Sequence, residues 1–263
     1  MSQLTKEVIV SAPTGTKTGS SSEMARTAAL EQVPSELKVI VPQLPSSAEQ
    51  SDSLFEHFAW LYIFCRERIF RDDTQRIIAA LWPQGKPPAK TRLIELGCGP
   101  GFYSCRLAAL FPNISVLGVD SSEKQLNWAR GKTRSFGLCN CAFDRLNVLA
   151  LACPDESFDN LIASRLFTVL PRRERAVSEM FRVLRRGGRC FVAEPRYEFW
   201  ASLPLFAMWM LAGLTRYKNG YREPRKASVL SHGSFKRLFA TQPWRQLQTW
   251  EDGRYQYVLC EKS

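Results

Sequence analysis

The eight cysteines of this chain include no Cys-x-x-Cys pair. The closely spaced thiolates from which most structural zinc sites are built are therefore missing. Cys139 and Cys141 form a Cys-x-Cys, which leaves two readings: reduced thiols of a folded protein, or a metal-binding or catalytic pair. No charged-then-apolar leader opens the sequence, so the thiols are expected to be reduced, in a cytoplasmic protein. Long apolar runs are absent too. The most apolar stretch, residues 199–214, is sixteen residues long and holds Pro204, against the roughly 20 residues a spanning helix needs. Acidic residues are scarce. There are 25 Asp and Glu against 36 Lys and Arg, a net charge of +11, which suits an anionic surface better than a cationic partner.

What is present suffices for one large domain. The chain has 263 residues, 45% of them hydrophobic, enough to build a core. Residues 1–50 differ in kind: they are rich in Ser, Thr, Pro and Glu, with little apolar periodicity, and read as a disordered extension. They hold four Lys or Arg and five Glu, leaving 32 basic against 20 acidic residues in 51–263. That +12 belongs to the folded part.

The most informative stretch is Leu93-Ile94-Glu95-Leu96-Gly97-Cys98-Gly99-Pro100-Gly101. A short apolar strand runs into three glycines at alternate positions. Asp120 follows Gly101 by 19 residues, at the end of a second apolar run, 116–119. Glycines let a backbone turn sharply and approach a ligand closely, and a carboxylate one strand over can accept from ribose hydroxyls. This is the layout of a nucleoside pocket at the carboxyl edge of a parallel sheet. A dinucleotide fingerprint needs a glycine three positions after Gly99, where Phe102 stands, and a P-loop needs a Gly-Lys-Ser/Thr ending, which is lacking. Neither pyrophosphate cradle fits.

Gly-Cys-Gly-Pro-Gly with a downstream acid resembles the class I S-adenosylmethionine-dependent methyltransferases, and the order of the segments from about 90 to 195 does the same. Phe158 to Ser164 looks like the family's fourth strand. A helix with apolar Val177, Met180, Phe181 and Leu184 follows, with Gly187 and Gly188 at its stop. Residues 189–195 look like the fifth strand. The resemblance implies a Rossmann-like α/β fold with a seven-stranded, mostly parallel sheet, an antiparallel last strand and helices on both faces. S-adenosylmethionine is the implied cofactor. Glu95, Gly97, Cys98, Gly99, Gly101, Asp120, Ser121, Asn147, Val148 and Ser164 are the implied cofactor-binding residues, with Asn147 where the family usually carries an acid beside the adenine. No metal is implied.

Outside that region, Ser53 to Trp82 reads as one or two helices, with Phe55, Phe58, Ala59, Tyr62 and Ile63 at helical spacing. In similar methyltransferases this part closes over cofactor and substrate. Ser231 is placed to cap a helix through about Ala240. Two strands around Glu251-Asp252-Gly253 read as a terminal hairpin. An insertion at about 197–228 contains the apolar stretch, followed by Arg216, Lys218, Arg222, Arg225 and Lys226. Three readings stay open: a lid whose large side chains, such as Phe206 and Trp209, line an apolar acceptor pocket; a core or dimer helix; or an element lying in a membrane interface.

The resemblance implies methyl transfer to a small acceptor, and the apolar insertion suggests an apolar one, quinone-, lipid- or natural-product-like. Peripheral membrane contact is compatible with this. An RNA or protein methyltransferase using the basic surface is a second reading, and a non-catalytic cofactor-binding protein a third. An Asn-Pro-Pro-Tyr-type motif and an aromatic-basic RNA-binding module are lacking, so nucleic acid is not the expected partner. Where the acceptor must lose a proton, a base is needed. Glu194, at the end of the fifth strand, is the first candidate, followed by His57 and Arg165; Tyr103, Tyr197 and His232 are also in reach.

Overall fold

The computed structural model of the chain describes residues 53–68, 70–214 and 227–263. The expected N-terminal extension and the basic residues between 216 and 226 lie outside them. Among the described residues eight helices and seven strands follow one another: α1 (Leu54–His57), α2 (Ala59–Arg68), α3 (Thr74–Leu81), β1 (Arg92–Leu96), α4 (Phe102–Leu110), β2 (Ser115–Asp120), α5 (Glu123–Phe136), β3 (Cys141–Arg145), β4 (Phe158–Ser164), α6 (Arg173–Val183), β5 (Leu184–Pro195), α7 (Glu198–Leu214), α8 (His232–Phe239), β6 (Trp244–Asp252) and β7 (Tyr255–Lys262).

The strands form one sheet in the order β3-β2-β1-β4-β5-β7-β6. β1 to β5 are parallel, and β7 runs antiparallel between β5 and β6. Successive residues of one strand point to opposite faces, and both faces are covered. Ile94, Leu96, Leu161, Val192 and Val258 pack with Val177 and Met180 of α6 and with Phe235 and Phe239 of α8. Their neighbours Leu93, Val116, Ile162, Phe191 and Tyr257 pack with Ile77 and Leu81 of α3 and with Tyr103 and Leu107 of α4. Burial on both faces explains why the parallel strands read as continuous apolar runs. The expected architecture is the one found.

Two boundaries differ from the sequence reading. The segment before β1 breaks into three helices, not one or two. Phe58 leaves helical geometry at φ −113°, and the Asp72 side chain accepts from the Thr74 backbone N–H at 2.9 Å, starting α3 afresh. The helix expected to run through Leu184 to the glycines stops at Val183, and Leu184 is already extended at φ −72°, ψ 137°. Leu184 pairs with Phe158, and the register then shifts before Asn160 pairs with Arg189. Gly188 sits inside that bulge, where a Cβ would lie 2.8 Å from the Arg185 carbonyl and 2.9 Å from that of Asp159. The glycine therefore serves a backbone crossing in the sheet, not a helix stop.

The described part of the insertion is helical. Residues 198–214 form one helix, α7, with Pro204 inside it. Its inner residues Ala201, Leu205, Met208 and Ala212 pack against Leu54 of α1 and Phe58. Phe206 is 62% exposed, so it points away from any pocket beneath the helix. Among the described residues no helix is long and apolar enough to cross a membrane.

A buried polar cluster ties α3 to the sheet. The Tyr257 hydroxyl donates to Asp73 Oδ1 at 3.0 Å, and the Asp73 backbone N–H donates to the Tyr103 hydroxyl at 3.2 Å. Arg76 pairs with Asp73 at 3.3 Å. Asp73 is 1% exposed, where losing a hydrogen-bond donor is costly. Tyr257→Phe should therefore lower unfolding free energy by about 1–3 kcal/mol, read from urea denaturation. Wild-type stability in that variant would show that the cluster does not anchor α3.

Candidate active site

The parallel strand order reverses between β1 and β4, which creates a crevice at their carboxyl ends, the usual ligand site of open α/β sheets. The loops after β1, β2, β4 and β5 meet at this edge. Three carboxylates from three strands organise them. Glu95 of β1 is buried, and its Oε2 accepts the Ser104 backbone N–H at 2.8 Å together with the Ser104 hydroxyl. It thereby caps the first turn of α4. Asp120 of β2 reaches back: its Oδ2 accepts from the Gly99 N–H at 2.8 Å, and its Oδ1 from the Ser122 N–H at 2.9 Å. Burial pushes the Asp120 carboxyl above its ordinary pKa, against the pull of the Ser122 and Gly99 N–H groups. Glu194 of β5 accepts from the Phe167 N–H at 2.9 Å.

The glycine loop itself is tight. Gly99 has φ +52°, and a Cβ there would meet the Tyr62 ring at 3.2 Å and Gln125 Oε1 at 3.7 Å. Tyr62 of α2 thus lies over the loop. It stands edge-on to Phe55 at 5.2 Å and to Phe70 at 6.2 Å. Gln125 was not singled out from sequence, yet it is the most telling polar group here. It is 1% exposed, and neither its Oε1 nor its Nε2 has a hydrogen-bond partner among the described residues. A buried amide left so is costly unless something pairs with it. The signal in the sequence was Ser122-x-x-Gln125, a capping-box spacing. Ser122 does cap α5, accepting from the Gln125 N–H at 3.3 Å. In the reciprocal half of the box the glutamine side chain would bond the Ser122 N–H, but Asp120 already holds that group. The amide is left beside the glycine loop instead. Glu56 of α1 also reaches this point, accepting from the Lys124 N–H at 3.3 Å.

The other expected cofactor residues fall nearby or serve the backbone. Gly97 and Gly101 flank the loop at φ +66° and +71°. Cys98 is buried and its pKa pushed well up, chiefly by desolvation, so it is a neutral thiol and not a nucleophile. Ser121 is exposed, and its carbonyl accepts from Arg145 at 3.0 Å. Ser164 is half-buried at the end of β4. Val148 is buried in the core, and exposed Asn147 turns its side-chain oxygen to the Leu149 N–H at 2.9 Å. The amide oxygen expected at an adenine thus already serves a local turn. Cys141 is a half-buried free thiol near Cys105, and Cys139 is exposed.

At the acceptor side, Glu194 is 3% exposed and its Oε2 has no hydrogen-bond partner among the described residues. Desolvation raises its carboxyl to about 7, opposed by the Phe167 N–H and the charge of Arg165. Gln256, its register partner on β7, likewise has a buried Oε1 without a partner. Arg165 follows β4 at φ +59°, a conformation that L side chains other than Asn and Asp rarely adopt. Its guanidinium stands 3.8 Å over the Phe70 ring and donates to the Tyr255 hydroxyl at 3.3 Å. Glu194 and Arg165 are thus brought together. His57 is not buried with them: it is exposed beside Phe58. Tyr103 is buried in the Asp73 cluster, Tyr197 is 48% exposed, and His232 contacts Thr249 at 3.2 Å.

The residues at the edge fit a nucleoside-like cofactor. They offer a carboxylate for hydroxyls, an uncommitted buried amide and a glycine turn that admits close approach.

A family model described as a methyltransferase domain matches residues 88–240. The chain is 34% identical over 119 residues to malonyl-[acyl-carrier protein] O-methyltransferase of Methylococcus capsulatus, covering 45% of this chain and 42% of that one. It is 30% identical over 133 residues to the chloroplastic 2-methyl-6-phytyl-1,4-hydroquinone methyltransferase 2 of Oryza sativa subsp. japonica, covering 50% and 37%. The matches thus span less than half the length of these relatives. The solved structure of a putative S-adenosyl-L-methionine-dependent methyltransferase from Methanococcus maripaludis superposes with a TM-score of 0.61 at 14% identity, covering 82% of this chain and 97% of that one. With the strand order, the glycine loop and its carboxylate in place, the match over most of the sheet settles the family: the chain belongs to the class I S-adenosylmethionine-dependent methyltransferases.

Proposed function

We propose that this protein transfers a methyl group from S-adenosylmethionine to a small, apolar acceptor, with Glu194 taking the proton the acceptor loses. One observation carries the reading. A buried carboxylate with an uncommitted oxygen, Glu194, sits at the same sheet edge as the Asp120 carboxylate and the unpaired Gln125 amide. Asp120 would hold the ribose hydroxyls and Gln125 a polar group of the cofactor, while Gly97, Gly99 and Gly101 let the backbone approach it. When bound, the cofactor supplies an electrophilic methyl on a sulfonium. The protein's own share is alignment and exclusion of water.

Arg165 holds the acceptor side in place through Phe70 and Tyr255. Glu194 Oε2 would take the proton that the acceptor's nucleophilic atom loses as it gains the methyl group, the methyl–sulfur bond breaking to release a neutral thioether. A carboxyl held near 7 is matched to that task at neutral pH. The cover supplied by α1, α2 and the inner face of α7 is apolar, which favours an acceptor with little charge. The rice relative, named for a phytylated hydroquinone, supports the same choice. α7, from the insertion, belongs to this cover.

Calorimetry should show S-adenosylmethionine binding, with NAD not competing. Asp120→Ala should weaken that binding by about 1–3 kcal/mol and Gln125→Leu by a similar amount. Wild-type affinity in both variants would remove the pocket assignment.

Glu194 gives a second expectation. Its folded-state carboxyl, at about 7, lies above the ordinary 4.5. Between those values the native state holds more proton than the unfolded one, so stability falls as pH rises through that window. Glu194→Gln should abolish this fall in thermal scans from pH 5 to 8. The variant should also lose the rising limb of turnover near pH 7, with cofactor affinity intact. A wild-type pH profile for turnover in Glu194→Gln would exclude the base.

A further inference from the structure

The outer face of α7 has no protein partner among the described residues and carries no charge between Phe199 and Leu214. Phe199, Leu203, Phe206, Met210 and Leu214 recur every three or four residues, so they share one side of the helix. They are 69, 39, 62, 58 and 76% exposed. The neighbouring helix α2 adds Trp60 and Phe64, 58 and 54% exposed, at the same i, i+4 spacing. Large apolar side chains exposed in this number on two neighbouring helices mark an interaction site. The opposite side of α7 is already used against α1, so the exposed side is not core waiting to close.

The edge of the patch says what covers it. At the start of α7, Tyr197 and Trp200 are half-exposed, and both carry arginines. The Arg254 guanidinium stands 4.2 Å over the Trp200 ring, and that of Arg196 lies 5.5 Å from the Tyr197 ring. Aromatic rings with apolar bodies and cationic neighbours are the combination found where lipid tails meet anionic headgroups. A second copy of this chain fits less well. Residues 51–263 carry 32 basic against 20 acidic residues, so two such surfaces repel each other, whereas an anionic bilayer attracts them. The helix is too short to span, which leaves the axis lying along the surface.

We infer that the outer face of α7, with Trp60 and Phe64 of α2, docks this protein on an anionic lipid surface. α7 then lies in the interface, its inner face over the crevice and its outer face in the lipid. The docking stands apart from the methyl-transfer reading, because lipid binding needs neither cofactor nor turnover.

The test is co-sedimentation of the full chain with vesicles of phosphatidylcholine alone and of phosphatidylcholine mixed with phosphatidylglycerol. Binding is expected to the mixed vesicles, weaker to the neutral ones, and to fall with added salt. Phe206→Ser combined with Met210→Ser should reduce the partition coefficient by about tenfold or more. Arg254→Gln should weaken binding to the mixed vesicles only. Melting temperatures of all variants should match the wild type, since the altered side chains are exposed. If the double variant melts early, Trp60→Ser on α2 repeats the reading from the other helix. No binding to the mixed vesicles overturns the proposal. So does a concentration-dependent dimer in sedimentation velocity that the double variant abolishes without any vesicle binding, because the patch then belongs to a second copy.

Discussion

Carboxylates accepting backbone N–H groups hold the whole carboxyl edge of this sheet together. Chain leaving a parallel strand must turn, and its amides lose their ladder partners while still half-buried. Each such group needs an acceptor. Glu95 supplies one to Ser104, Asp120 to Gly99 and Ser122, and Glu194 to Phe167. Glu179 does the same for Leu151 on the flank, with Arg182 beside it at 2.8 Å. The charged acceptors are strong ones in a low-dielectric edge. The glycine loop keeps its shape because Asp120 pulls on Gly99 from the next strand. The loop after β4 keeps its shape because Glu194 pulls on Phe167 from the strand beyond.

This arrangement means that the acids at the site are structural before they are chemical. Asp120 spends one lone pair of each oxygen on the loop and keeps the others for a ligand. Glu194 spends one oxygen on Phe167 and leaves Oε2 uncommitted in a buried place. A carboxyl near 7 follows: desolvation opposes the charge, and the Phe167 and Leu166 N–H groups with the charges of Arg165 and Arg173 do not fully offset it. Structural and chemical roles are therefore coupled, and a substitution at either acid is read properly only with stability measured alongside binding or turnover.

The cover over the edge is built differently. It is held by apolar contacts among Leu54, Phe58, Leu205 and Met208 and by rings. Tyr62 rests on Gly99, Phe70 on Arg165, and the two rings meet each other. Such contacts are non-directional and tolerate small rearrangement, which suits a cover that must admit a cofactor. The base beneath is fixed by hydrogen bonds and does not share that freedom.

The sequence by itself determined the sheet, the glycine turn and the family. Alternate residues of each central strand are apolar on both sides, and three glycines before an acid have few other uses. Helix caps such as Ser231 were legible for the same reason: a local spacing has a local cause, and Ser231 does accept from the Ser234 N–H. What depends on two distant segments was not legible. Gly188 looked like part of a helix stop, but its meaning comes from the Arg185 and Asp159 carbonyls that crowd it in the sheet, while Gly187 only takes a turn at φ +72°. The bond from the Leu149 N–H that orients the Asn147 side chain likewise shows only in the structure. Gln125 carries no sequence signal beyond its spacing from Ser122, and its amide is left over only because Asp120 occupies the N–H it would have bonded. His57 and Glu194 were both candidate bases in sequence, and only burial separated them. Phe206 and Met208 are equally apolar, yet one faces water and the other the core. Periodicity sorts residues onto faces, but which face meets the rest of the protein is decided by the packing of elements far apart in the chain.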